Sequence, residues 1–210
     1  MSQSYDPNCR RCPRLSRFLD AVHAEEPSYF CKPVPPFGDS AARILVVGLA
    51  PGKHGANRSG RPFTGDYAGI LLYETLHRFG LSNGPVSVSA DDDLRLVGAR
   101  ISNAVKCLPP DNRPLPAEVA ACNVFLRHEL AASAAVRVIL ALGLVAHTAV
   151  LRACGLTPSR YRFAHGAEHA LDERRILVDS YHCSRYNTNT RRLTPAMFQA
   201  VVGRSVELAA

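Results

Sequence analysis

Arg43-Ile-Leu-Val-Val-Gly48 decides the fold of this chain. It is a short, unbroken apolar run that closes on glycine, the pattern of a strand buried on both faces and feeding a loop. Three more such runs follow, near Ala99 to Val105, Val136 to Leu142 and Arg175 to Val178. Between them the apolar residues fall at helical spacing. Ile70, Leu72, Leu76 and Phe79 mark one helical face, and Val119, Cys122, Leu126 and Leu130 mark another after Pro116, with Cys122 turned inward. A further helix begins at Leu144, Thr194-Pro195 caps the last one, and Leu15, Phe18, Leu19 and Val22 predict a helix within Cys9 to Glu26, ahead of a Pro-rich connector, Lys32 to Asp39. Strands alternating with helices predict an α/β fold: three layers, with a four-stranded parallel sheet covered by helices on both faces. Such sheets bind ligands outside the carboxyl ends of their strands. The polar loops Leu49 to Asp66, Cys107 to Pro114 and Tyr181 to Arg192 are therefore where chemistry belongs.

The length of 210 residues, without an internal repeat, predicts one domain over residues 1–210. With 47% hydrophobic and 20% charged residues, disordered and collagen-like chains are excluded. Lys and Arg number 25 against 18 Asp and Glu, a net charge of +7, and the pI is near 9.2. That excess favours a polyanionic partner. Met1 to Asn8 lacks the basic-then-apolar pattern of a leader, and the apolar stretch Val136 to Leu151 is broken by Arg137 and His147, so a cytosolic protein with no membrane partner is expected.

In a reducing compartment seven cysteines do not read as a disulfide framework. Cys9 and Cys12 form a C-x2-C pair, and Cys107 and Cys122 a C-x14-C pair. Thiolates at these spacings can converge on one soft metal centre, either zinc or an iron–sulfur cluster, since ligand count alone does not separate them. Cys31 and Cys154 read instead as small buried hydrophobes.

Gly48-Leu-Ala-Pro-Gly52-Lys53-His54 invites a phosphate-loop reading, which fails on count: three residues rather than four separate the glycines, and His54 follows the lysine. A nucleotide hydrolase is thereby excluded. Lys53, Arg58 and Arg61 precede Phe63, with no acid in the loop before Asp66, a mixture suited to phosphate contact and base stacking. Asp66 stands where it would cap the helix starting at Tyr67 while leaving one carboxylate oxygen free for a water.

These segments resemble a known family. Gly48 to Asp66, Val105-Lys-Cys-Leu-Pro-Pro-Asp-Asn-Arg-Pro114, Leu142-Gly143 and His182-Cys-Ser-Arg-Tyr-Asn-Thr188 are similar, in order, to the iron–sulfur uracil-DNA glycosylases, in particular their type B branch, also called family five. The resemblance implies a 4Fe-4S cluster on Cys9, Cys12, Cys107 and Cys122, and a monomeric bacterial or archaeal enzyme, cytoplasmic and nucleoid-associated when acting. It implies flipping and hydrolytic excision of uracil from DNA, and of other deaminated bases such as hypoxanthine and xanthine, as the start of base excision repair. Phe63 then stacks on the extruded base, Asn103 (or Asn112) reads it, and His182 contacts its carbonyl. With Ala50 where most relatives carry an acid or amide, Asp66 becomes the water-orienting group, and Gly52 lies in the pocket. Lys53, Arg58, Arg61, Arg185 and Asn187 are expected to hold DNA, and Tyr186 or a neighbour to fill the vacated stack. The family's usual His-Pro-Ser-Arg-Gln-Asn-Thr-Phe-Thr-Gly is here His182-Cys-Ser-Arg-Tyr-Asn-Thr-Asn-Thr-Arg191, without its proline and glycine. The competing reading is a noncatalytic, metal-stabilised DNA-binding module, which leaves Asp66, Asn103 and His182 without a purpose.

Overall fold

The computed structural model describes residues 5–210; the first four residues of the polar stretch Met1 to Asn8 lie outside it. The chain runs through α1 (Pro13–Glu25), β1 (Phe37–Gly38), β2 (Ile44–Gly48), α2 (Ala56–Ser59), α3 (Tyr67–Arg78), β3 (Ala99–Asn103) and α4 (Pro116–Ala132). It continues through β4 (Val138–Leu142), α5 (Leu144–Ala153), β5 (Glu168–Ala170), β6 (Ile176–Ser180), α6 (Arg185–Asn189) and α7 (Pro195–Ala209). The sheet order is β1-β3-β2-β4-β6-β5. Every residue of β2 and β4 is buried, which is why these strands are apolar throughout instead of alternating.

The four expected strands form the parallel centre of the sheet. The sheet is wider than expected, with six strands: β1 pairs antiparallel with β3 and β5 antiparallel with β6. Strands of two and three residues are too short to show a period of two, so they leave no trace in the sequence. Strand ends also move, to Asn103 rather than Val105 and to Ser180 rather than Val178, while β4 begins at Val138.

One core lies between the sheet and α1, α4 and α5, and the other between the sheet and α3 and α7. On α3, Leu72 and Leu76 face inward as expected, but Ile70 is 63% exposed, because it lies two residues out of phase with that stripe. Cys31 and Cys154 are half-buried at the edge of a core rather than within it. The segment Tyr181 to Arg192, expected as a loop, contains α6, whose N-cap Ser184 accepts from the Asn187 amide. A five-residue polar helix has no apolar stripe by which to announce itself.

The strand registers align Gly48 with Asn103 and Leu142 with Ser180. The carboxyl ends of β2, β3, β4 and β6 thus stand in one row, with the segments that follow them gathered at one edge.

Candidate active site

A cavity of about 500 Å³ opens at that row, and Ala50, Gly52, Phe63, Asp66, Asn103 and His182 all border it. Residues from two loops and from the end of β3, expected from sequence to act together, are brought together here.

Phe63 is buried and has φ 55°. A non-glycine residue held in the left-handed region costs energy, so the surrounding loop has to impose it. Gly69 provides the room: a Cβ there would lie 1.8 Å from the Phe63 carbonyl oxygen. The Phe63 ring faces His182 with centroids 6.0 Å apart and planes 27° from parallel. Since stacked rings sit at about 4.5–7 Å, this is already direct contact and admits no third ring between them.

Asn103 ends β3 and is 4% exposed, and its Oδ1 has no hydrogen-bond partner. A buried amide oxygen left unpaired costs about 1–3 kcal/mol, which a ligand N–H would recover. Asn112, the other candidate reader, also borders the cavity but is exposed.

Asp66 caps α3, its Oδ1 accepting from the Gly69 amide at 2.8 Å. Oδ2 points toward Gly55 and Gly52; a Cβ at Gly55 would lie 2.6 Å from it. Burial raises the carboxyl pKa, opposed by the Gly69 and Ala68 amides. His182 follows β6 and burial lowers its pKa to about 4. It is a neutral ring at physiological pH, and Asn187 Nδ2 donates to its main-chain oxygen at 2.8 Å.

The basic residues divide. Arg58 is exposed beside the loop, and the exposed Arg185 lies on the rim with its guanidinium 5.1 Å from the Tyr67 ring centre. Tyr186 is 71% exposed on α6. Lys53 pairs with Glu25 at 2.9 Å in solvent, where screening leaves it free to exchange partners. Arg61 corrects the expectation: it is 5% exposed, ion-paired with Asp92 and stacked 4.3 Å from the Phe37 ring centre. Although burial opposes ionisation, Arg61 and the amides of Val88, Ser89 and Leu94 hold the Asp92 carboxyl down at about 2. Arg61 therefore fastens a loop through its buried ion pair with Asp92 and its bond to the Ala90 carbonyl.

Cys9, Cys12, Cys107 and Cys122 border one cavity between α1, α4 and the segment after β3. Burial pushes the Cys107 thiol up to about 12, and Cys122, Cys9 and Cys12 push it the same way. Four thiolates can coexist there only around a cationic centre. Among the described residues, His147, His169 and Asp179 form the only trio whose donor atoms all lie within 4.8 Å of one another.

Sequence reasoning missed two features of the site. The start of α5 supplies an apolar rim, the exposed Leu144 and Val145, foreshadowed only by Leu142-Gly143. Cys183, beside His182, is fully buried in the core. No helix among the described residues is long and apolar enough to cross a membrane.

Comparison with known proteins agrees with this geometry. A family model for the uracil DNA glycosylase superfamily matches residues 35–204. The chain is 48% identical over 206 residues to the type-5 uracil-DNA glycosylase of Thermus thermophilus, covering 96% of this chain and 94% of that protein. It is 45% identical over 202 residues to the type-5 uracil-DNA glycosylase of Pyrobaculum aerophilum, covering 94% and 88%. To that organism's type-4 uracil-DNA glycosylase it is 35% identical over 149 residues, covering 70% and 62%. A strand-end cavity that gathers Phe63, Asp66, Asn103 and His182, a second cavity bordered by four cysteines, and similarity along nearly the whole chain lead to one conclusion: this protein belongs to the uracil DNA glycosylase superfamily, alongside its type-5 members.

Proposed function

We propose that this protein hydrolyses the N-glycosidic bond of deoxyuridine in DNA, releasing uracil and leaving an abasic sugar, the first step of base excision repair. The observation that carries this reading is the unpaired, buried Oδ1 of Asn103 on the wall of a base-sized cavity. The carboxamide offers an acceptor to uracil N3–H and a donor to O4, whereas cytosine presents the opposite pattern and would leave both groups unsatisfied, at about 1–3 kcal/mol each.

The base leaves the duplex to reach this cavity, at a cost of a few kcal/mol that new contacts must offset. Phe63 supplies a stacking face, Arg58 and Arg185 supply phosphate contacts, and Tyr186 is exposed at the position from which a side chain can fill the vacated stack. As the bond from C1′ to N1 breaks, its electron pair passes to the uracil ring and positive charge develops on the sugar. A hydrogen bond from neutral His182 to the base carbonyl strengthens as that negative charge grows, so it lowers the barrier rather than only aiding binding. Oδ2 of Asp66 orients a water toward C1′ and takes its proton.

The four cysteines fit an iron–sulfur centre in donor type, number and spacing. A 4Fe-4S cluster held by Cys9, Cys12, Cys107 and Cys122 would supply structural cross-linking, tying the start of α1 to α4 and to the segment behind Asn103. The small side chains of Ala50 and Gly52 leave the cavity roomy, which supports acceptance of deaminated purines such as hypoxanthine and xanthine.

Incubation with a uracil-containing oligonucleotide followed by alkali tests the reading. Strand breaks at uracil are expected. An intact strand in both single- and double-stranded contexts would overturn it.

A further inference from the structure

His182 inherits its position from Tyr181, and Tyr181 is gripped by the segment between α5 and β5. The Tyr181 amide donates to Nδ1 of His165 at 3.2 Å. The two rings also stack, with centroids 5.1 Å apart and planes 21° from parallel. We propose that His165 is a positioning residue for the glycosylase reaction, fixing the backbone from which His182 reaches the base by accepting this main-chain hydrogen bond. The inference rests on the proposed role of His182.

The segment carrying His165 is itself anchored at both ends. At one end the Tyr161 carbonyl meets His147 Nε2 at 3.1 Å, and His147 Nδ1 meets Asp179 Oδ1 at 2.8 Å on β6. At the other end the Gly166 amide donates to the Asp179 carbonyl oxygen, and the Asp179 amide donates to the Ala167 carbonyl. Between these anchors Phe163 packs on Tyr181 at 6.1 Å, and the Arg192 guanidinium lies 4.6 Å from the Tyr181 ring centre. Ser180 Oγ donates to the Tyr181 carbonyl oxygen at 2.9 Å and also lies 3.5 Å from His165 Nδ1, a longer contact to that nitrogen than the Tyr181 amide makes. Asn187 holds the other side of His182 through its main-chain oxygen. The catalytic ring is thus clamped before and after.

The clamp constrains the chemistry of His165. Nδ1 accepts only when it carries no proton, so the ring must be the Nε2–H tautomer. Burial lowers its pKa, opposed by a hydrogen bond with the Met197 backbone. A catalytic donor displaced by a fraction of an ångström loses rate rather than ground-state affinity, so the cost should fall on kcat.

Two substitutions separate this role from simple packing. His165→Phe keeps the stacking face and removes the acceptor, whereas His165→Asn removes the ring but can present Oδ1 to the same amide. With a uracil oligonucleotide the Phe variant should lose about tenfold in kcat with KM unchanged within about twofold, and the Asn variant should recover most of that loss. Equal losses in both variants, or a loss confined to KM, would overturn the proposal. The wild-type protein supplies a test independent of folding and of activity: nitrogen NMR should show His165 Nδ1 unprotonated and coupled through the hydrogen bond to the Tyr181 amide. A protonated Nδ1 would overturn it. Should the wild-type protein leave uracil in place, the glycosylase reading fails and the NMR result still reports the clamp.

Discussion

Gly48 and Asn103 face each other across the first strand pair so closely that a Cβ on the glycine would stand 2.4 Å from the amide oxygen. The same Cβ would lie 2.6 Å from the Phe63 ring. Gly48→Ala should therefore displace the reading amide and the stacking ring together. We expect kcat/KM on uracil to fall by at least about tenfold and stability by about 1–3 kcal/mol, the range for overpacking a filled core. Denaturant melts and single-turnover assays measure the two effects, and a fully active variant would remove Asn103 and Phe63 from the site.

Asp66 carries two roles that substitution can divide. Asn retains an N-cap acceptor for Gly69 while losing charge; Ala loses both. Both variants should be slow, and only Asp66→Ala should lose about 1 kcal/mol of stability. Because burial raises this carboxyl and its ionised form orients water, wild-type rates should fall on acidification, with an apparent midpoint above that of a free aspartate. Equal melting curves for the two variants, with wild-type rates, would eliminate both roles.

His182→Ala should lower kcat by about 10²–10³ with a small change in KM, the effect of removing one donor to a developing oxyanion. With its pKa near 4, the ring stays neutral as pH drops from 8 to about 5.5, so no limb near 6.5 is expected in the rate profile. A limb there that vanishes in the Ala variant would show that the charged ring acts instead.

Arg185 and Arg61 should behave oppositely. Arg185→Ala should weaken DNA binding on every sequence and reduce the salt slope by about one. Arg61→Ala should leave that slope unchanged and cost about 3 kcal/mol of stability, because Asp92 would lose its buried partner. Salt titrations of both variants, read beside their melting curves, test the division.

Replacing Cys107 or Cys122 by Ser should abolish visible absorption from an iron–sulfur centre, lower iron content from about four per chain, and lower the melting temperature. Iron-free wild-type protein of unchanged stability would remove the cluster from the account.

The central strands were legible in the amino-acid order, because buried parallel strands are continuously apolar, whereas Phe63, Asp66, Asn103, His182 and the two cysteine pairs stood out through the motifs that carry the family resemblance. Arg61 was misread for a physical reason: a basic side chain in a basic loop looks the same in sequence whether it faces solvent or a distant Asp92. The edge strands and α6 were too short to carry a period.

What the chain by itself determined was the kind of sheet and which residues lie near strand ends. Tertiary structure alone decided which of them meet: the register that sets Gly48 beside Asn103, the burial that keeps His182 neutral, and the grip of His165 on Tyr181. Local pattern encodes how each segment faces the core, whereas those contacts join residues far apart in sequence and exist only once the layers have packed.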